Sequence, residues 1–149
     1  LADEAREVRA ASARALSRLS FERADAYVRL IQTLDKATLG EVARACIKAG
    51  LTAQAVNRLA SDDRRQAYES FSLLSLVIKG GEQSPVLDAV ENHHDLNVRL
   101  AAVRLLGTTQ QPESLDQLHK LAALGSVPEE VRSAILGIVR QNEYEAVEA

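Results

Sequence analysis

The sequence predicts an all-α fold: an α-solenoid of antiparallel helix pairs, about four to five repeats filling residues 1–149 as one domain. Three observations predict it. The chain holds 24 Ala and 21 Leu against seven Gly and three Pro, a helix-forming composition. Val98, Ala101, Ala102 and Leu105 fall at i, i+3, i+4 and i+7, one face of a helix, and no stretch shows sustained period-two alternation. Similar phrases also return at a period near 33 residues, the length of a helix pair.

The elements follow from punctuation. A first helix, 2–19, opens on Asp3-Glu4, and a second is expected at 21–34. The third, 36–49, stops at Gly50, and a short fourth, 52–60, makes the middle unit irregular. The fifth, 63–79, stops at Gly80-Gly81, where glycine ends helices readily. Ser84-Pro85 opens 84–94, with proline in the first turn. Asp95 is placed to N-cap 96–107, which Gly107 should stop. Gln111-Pro112 opens 112–124, and Gly125 closes it. Ser126 and Glu129 have the spacing of a capping box at the start of 128–141. Connections this short make neighbouring helices antiparallel hairpins.

The repeat is legible residue by residue. Val8-Arg9, Arg14 and Leu16 align with Val98-Arg99, Arg104 and Leu106, and Val131-Arg132 restarts the phrase 33 residues after Val98. Val42 lies 34 after Val8, and Arg64-Arg65 lies 34 before Val98-Arg99. Ala11, Ala45, Ala67, Ala101 and Ala134 share one position, where a small side chain lets helices approach. The tetratricopeptide Trp and Tyr/Phe pattern and the ankyrin Thr-Pro-Leu-His signature are missing. The run from Asp95 through Val98-Arg99, Ala101-Ala102 and Leu106-Gly107 resembles the HEAT repeat, more narrowly the short HEAT-like units of the phycobilin-lyase type. That resemblance implies a right-handed superhelix whose second helices line the concave side. It is clear at 95–107, fair at 3–16 and 127–139, and weak at 35–80. Such phrases specify fold and say little of function.

By the same resemblance, Arg9, Arg65, Arg99 and Arg132 form a structural ladder, each facing an acidic residue of a neighbouring unit: Asp3 or Glu4, Asp62 or Asp63, Asp95, and Glu129 or Glu130. Arg6, Arg14, Arg18, Arg44 and Lys48 are the candidate partner-binding cations. Residues 1–80 hold 13 basic and 10 acidic side chains, and residues 81–149 hold 5 and 11, so the halves carry +3 and −6. A rod with such a dipole can steer an acidic partner segment, or stack head to tail with a second copy. If that basic patch is only a solvated face, the contact is to be sought on the acidic half, beginning with Glu82, Asp88, Glu91, Glu113 and Asp116.

No catalytic constellation is legible. His93 and His94 are adjacent, about 100° apart on a helix, and cannot form an i, i+4 zinc chelate; an exposed helix end is expected. His119 has no nucleophile beside it. Cys46, the single cysteine, sits between Ala45 and Ile47 at a core-like position and reads as an inert thiol. Gly80-Gly81 lacks the Gly-Lys-Ser/Thr of a phosphate loop. No metal site and no cofactor is implied.

Composition narrows the rest. The five aromatics, Phe21, Tyr27, Tyr68, Phe71 and Tyr144, are too few and scattered for a base-stacking platform, and the net charge is −3, so no nucleic acid is expected. No apolar run approaches the roughly 20 residues of a membrane span. The chain starts at Leu1 and contains no Met, as a segment of a longer protein would. The expected function is a non-enzymatic scaffold for a protein partner or another domain of the same chain. The resemblance keeps two alternatives open: a HEAT-like bilin lyase or chromophore handler, and a HEAT-like nucleic-acid binder of the alkylpurine DNA glycosylase kind.

Overall fold

The computed structural model of the chain describes residues 2–148, with the side chains of 2, 3, 13, 16, 17, 20 and 144–148 outside the described set. Asp3, Leu16 and Tyr144, each singled out from sequence, therefore lie outside the described side chains. The fold is all-helical, with no strand among the described residues. The helices are α1 (Ala2–Thr33), α2 (Lys36–Lys48), α3 (Leu51–Arg58), α4 (Arg64–Lys79), α5 (Ser84–Asn92), α6 (Leu96–Thr109), α7 (Pro112–Leu124) and α8 (Glu129–Glu148).

Two of these are apolar around most of their circumference, and they form the centre. α4 buries Ser70, Ser72, Leu73, Leu74, Leu76, Val77 and Ile78, and α6 buries Val98, Ala101, Ala102, Val103, Leu105, Leu106 and Thr109. Their buried hydroxyls bond back to the preceding turn: Ser72 Oγ donates to the Tyr68 carbonyl and Thr109 Oγ1 to Leu105. The flanking helices bury one stripe each, such as Val86, Ala89 and Val90 on α5 and Ser114, Leu118 and Ala122 on α7. Each fully buried Leu or Val contributes about 1.5–3 kcal/mol.

The helices lie in two rows. In one, α1 packs on α4, α4 on α6 and α6 on α8. Residue pairs across these contacts advance together: the Phe21 ring lies tilted against Tyr68 and Arg23 pairs with Glu69. Lys79 and Thr109, the last residues of α4 and α6, border one groove, and Arg104 with Ala134 another. The helices of this row are therefore parallel. In the other row α2 meets α3, α3 meets α5 and α5 meets α7. Short loops join the rows, so α3–α4, α5–α6 and α7–α8 are antiparallel hairpins. One core cluster runs from Ala55 to Ile135, a second gathers Leu39, Ala43, Leu76 and Val77, and Tyr27 and Cys46 pack against both.

Several sequence expectations are corrected. The break expected at Ser20 does not occur, and α1 runs unbroken through it, since neither Gly nor Pro interrupts the stretch. Gly107 does not end α6, which continues to Thr109 and closes on Gln110 in the left-handed region at φ 52°. Gly107 instead serves packing: a Cβ there would lie 2.6 Å from Ile138 Cδ1 and 2.7 Å from its Cγ2. Ser126 does not cap α8, whose first described bond runs from Arg132 N to the Pro128 carbonyl. Proline at the residue before the helix displaces the expected box. The small-residue seam divides: Ala101 is buried, Ala67 and Ala134 half-buried, but Ala11 and Ala45 exposed. The reason for Ala45 is topological, because its helix α2 belongs to the opposite row from α6 and cannot share its repeat position.

Candidate functional site

The parallel row presents one candidate surface. A groove of about 320 Å³ lies between α1, α4 and α6, floored by Ile31, Phe71 and Ser75 and edged by Tyr68, Lys79 and Thr108. A second, about 450 Å³, runs between α6 and α8 from Arg104 and Thr108 to Asn142. A third, about 700 Å³, joins Arg104, Leu100 and Ala134 to the α3–α4 loop at Asp62. Thr108 borders the first two and Arg104 the last two, so the three adjoin along the row.

The charged side chains lining the three grooves are Lys79, Arg104 and Asp62. α4 and α6 carry Arg64, Arg65, Lys79, Arg99 and Arg104 against a single carboxylate, Glu69. Glu69 is already engaged by Arg23 of α1 through both oxygens, and that contact raises the Arg23 pKa. Arg99 is also engaged. Among the described residues, no carboxylate lies within ion-pair reach of Lys79 or Arg104. Phe21 of α1 meets a distant aromatic pair of α4 here: its ring lies tilted 47° against Tyr68 at 6.2 Å, and Tyr68 and Phe71 line the first groove. Sequence alone missed this gathering, because it follows from the parallel pairing of α1 with α4.

The expected sites fare differently. Arg99 is half-buried, and its Nε and NH2 donate to the carbonyls of Val90 and Glu91, 2.9 and 2.7 Å away. It caps the carboxyl end of α5 within its own hairpin and meets carbonyls, not a carboxylate of a neighbouring pair. Asp95 is spent on capping α6, accepting from Asn97 N at 2.8 Å. Arg132 lies 3.6 Å from Glu129 of its own helix, and Arg9 and Arg65 are exposed. Of the candidate partner-binding cations, Arg6, Arg14 and Arg18 sit on the part of α1 upstream of its contact with α4, while Arg44 and Lys48 sit on α2 in the other row. All five are exposed, but the fold does not gather them, and Arg44 lies 3.7 Å from Glu82. Of the acidic set, Glu113 accepts from Gln83 and Asp88 from Asn92.

The outer row holds a different cavity, about 330 Å³, between the end of α2, α3 and α5. Ile47, Ala53, Val56, Pro85 and Ala89 make it apolar, and Asn57, Asp88, Asn92 and His93 edge it. His93 is not the exposed helix end expected from sequence. It is half-buried, its Nδ1 accepts from Asp95 N at 3.0 Å, and its Nε2 meets Asn57 Oδ1 at 2.9 Å. With Nδ1 accepting, the ring proton sits on Nε2 and is donated to Asn57. His94 stacks on it at 4.5 Å.

Cys46 is half-buried between the two clusters, and burial pushes its thiol pKa up. Burial likewise raises the Tyr27 phenol, with nearby Glu69 adding to the shift. Among the described residues no group of three or more His, Cys, Asp or Glu is placed to hold a metal ion, and no helix is long and apolar enough to cross a membrane. Comparison with known protein families, curated proteins and solved structures finds no match for the chain.

Proposed function

We propose that the chain is an α-solenoid of the HEAT-like kind, acting as a non-enzymatic interaction module that holds an extended acidic segment, from a protein partner or another domain of its own chain, along the α1–α4–α6–α8 row. The observation that carries this reading is the run of three adjoining grooves, with Lys79 beside Tyr68 and Phe71 in the first, Arg104 on the other two, and neither cation ion-paired among the described residues. The two-row contact order supports the solenoid part, since helices of like direction neighbour one another along each row. Helix axes packed about 8–10 Å apart make a four-helix row roughly 25–30 Å across. An extended segment of about eight or nine residues spans that distance at about 3.3 Å each. Carboxylates on such a segment meet Lys79 and Arg104, and an apolar or aromatic side chain enters the groove at Phe71.

The test is fluorescence anisotropy with ten-residue peptides rich in Asp and Glu around one aromatic anchor, against the same peptides with Lys for every acid. The acidic peptides should bind, more weakly as salt shortens the Debye length toward about 3 Å at 1 M. Lys79→Glu with Arg104→Glu should weaken them at least tenfold, and Arg14→Glu with Arg44→Glu should leave them unchanged. Equal binding of the basic peptides, or loss confined to the Arg14/Arg44 variant, would reject the row as the contact surface.

A further inference from the structure

We propose that the cavity between α3 and α5 is a separate site for a small ligand with an apolar body and a cationic amino group. The argument begins with the walls. Ala53 and Val56 of α3 face Pro85 and Ala89 of α5, with half-open Ile47 at the mouth, so an apolar body replaces water there at a gain. A volume of about 330 Å³ suits a single small molecule.

Thr52 of α3 stands at the inner wall of the cavity. It lines the cavity, is only 2% exposed, and its hydroxyl has no hydrogen-bond partner. A buried hydroxyl left in that state is costly, and it is rare in folded proteins. Its oxygen is closed to solvent, so the polar contacts open to a ligand lie at the edge of the cavity and not at Thr52.

The sign of the ligand's charge follows from the edge. Asp88 is the single carboxylate in the lining, which contains neither Lys nor Arg. One Asp88 oxygen accepts from Asn92 at 2.8 Å, and among the described residues no cation pairs with the carboxylate. Asn92 turns its amide nitrogen to Asp88, which leaves its own carbonyl oxygen as a second acceptor. His93 has both ring nitrogens engaged and offers the cavity nothing further. The edge therefore favours a donor cation and disfavours an anion. This site lies on the row opposite the proposed peptide surface and shares no lining residue with it.

The experiment uses three probes of one shape: 4-phenylbutylamine, 4-phenylbutan-1-ol and 4-phenylbutyrate. Each is titrated into isotopically labelled protein and followed by amide chemical shifts. The amine should give saturable shifts confined to residues 52–57 and 85–93, the alcohol should bind at least fivefold more weakly, and the carboxylate should give none. Asp88→Asn should reduce the amine to the level of the alcohol at an unchanged melting temperature. Ala53→Phe, which fills the cavity from an exposed position, should abolish both. Equal affinity for the three probes, shifts outside those segments, or an Asp88→Asn variant that binds the amine as well as before would overturn the proposal. None of these outcomes depends on peptide binding at the other row.

Discussion

Single residues here do more positional than chemical work, and Arg99 shows how. Its guanidinium spans two carbonyls at the end of α5, where backbone acceptors have no partner within the helix. Arg99→Ala should lower the unfolding free energy by about 1–3 kcal/mol, the range for hydrogen bonds to a charged group. Arg99→Lys should recover only part of it, because one ammonium does not reproduce the planar fork. Equal chemical-denaturation midpoints for wild type and Arg99→Ala would exclude the capping role. The repeat phrase made this arginine conspicuous in the sequence, but its partner was not legible, since carbonyl acceptors carry no sequence signature. Cys46 behaves as its apolar neighbours foretell. A half-buried thiol whose pKa is pushed up by burial holds little thiolate near neutrality. Iodoacetamide should label it slowly in the folded protein and quickly in denaturant. Fast labelling of the native state would mean that α2 opens away from Tyr27.

At the level of helices, the ends that rest on local chemistry were the legible ones. Proline at Pro85 and Pro112 and an aspartate cap at Asp95 act through local chemistry, so they are visible in sequence. Gly107 misled, because a glycine needed for a close helix crossing looks the same as one that ends a helix. The crossing makes a prediction. An alanine in a helix interior normally gains about 0.5–1 kcal/mol over glycine. At Gly107 the added methyl would meet the branched part of Ile138, and overpacking of this kind costs about 1–3 kcal/mol. Gly107→Ala should therefore destabilise, and Ile138→Ala in the same chain should reverse the penalty's sign at that position. A stabilised Gly107→Ala single variant in a thermal melt would show that α6 and α8 do not approach this closely. Asp35 gives a pH-dependent counterpart. The Thr38 amide donates to its carboxylate at 2.7 Å and holds the pKa below its ordinary value. The cap is at full strength above the ordinary carboxylate pKa and is lost as pH falls through the lowered one. Asp35→Asn keeps an acceptor that does not titrate, so its melting temperature should fall less steeply in acid than that of the wild type. Parallel pH profiles would show that the cap does not contribute.

Across the whole molecule, sequence order and spatial order separate, and charge follows the second. The +3 and −6 halves are real as sums, yet the fold sets Lys79 of α4 and Arg104 of α6 on adjoining grooves and spreads the amino-terminal cations over two rows. The same separation governs stability. Downstream of Ala24, which is fully buried, α1 packs through Tyr27 and Ile31 against α2 and α4. Upstream, every described side chain from 4 to 19 is exposed, including Val8 and Leu19. An isolated helix of about that length is marginal in water, because nucleation is unfavourable. Here the packed half supplies the nucleus, so the exposed half needs only propagation, which its alanines and arginines favour. Its helicity is thus borrowed from the fold and returns almost nothing to it. Deleting residues 2–19 should change the unfolding free energy by less than about 0.5 kcal/mol, as for other surface changes away from the core. In the intact chain, backbone amides of 4–19 should exchange with solvent deuterium far faster than those of α4 and α6, which open only with global unfolding. A deletion that lowers the melting temperature by more than about 5 °C would mean that these residues bury surface in solution. Melting that then depended on protein concentration would identify that surface as a contact between copies of the chain.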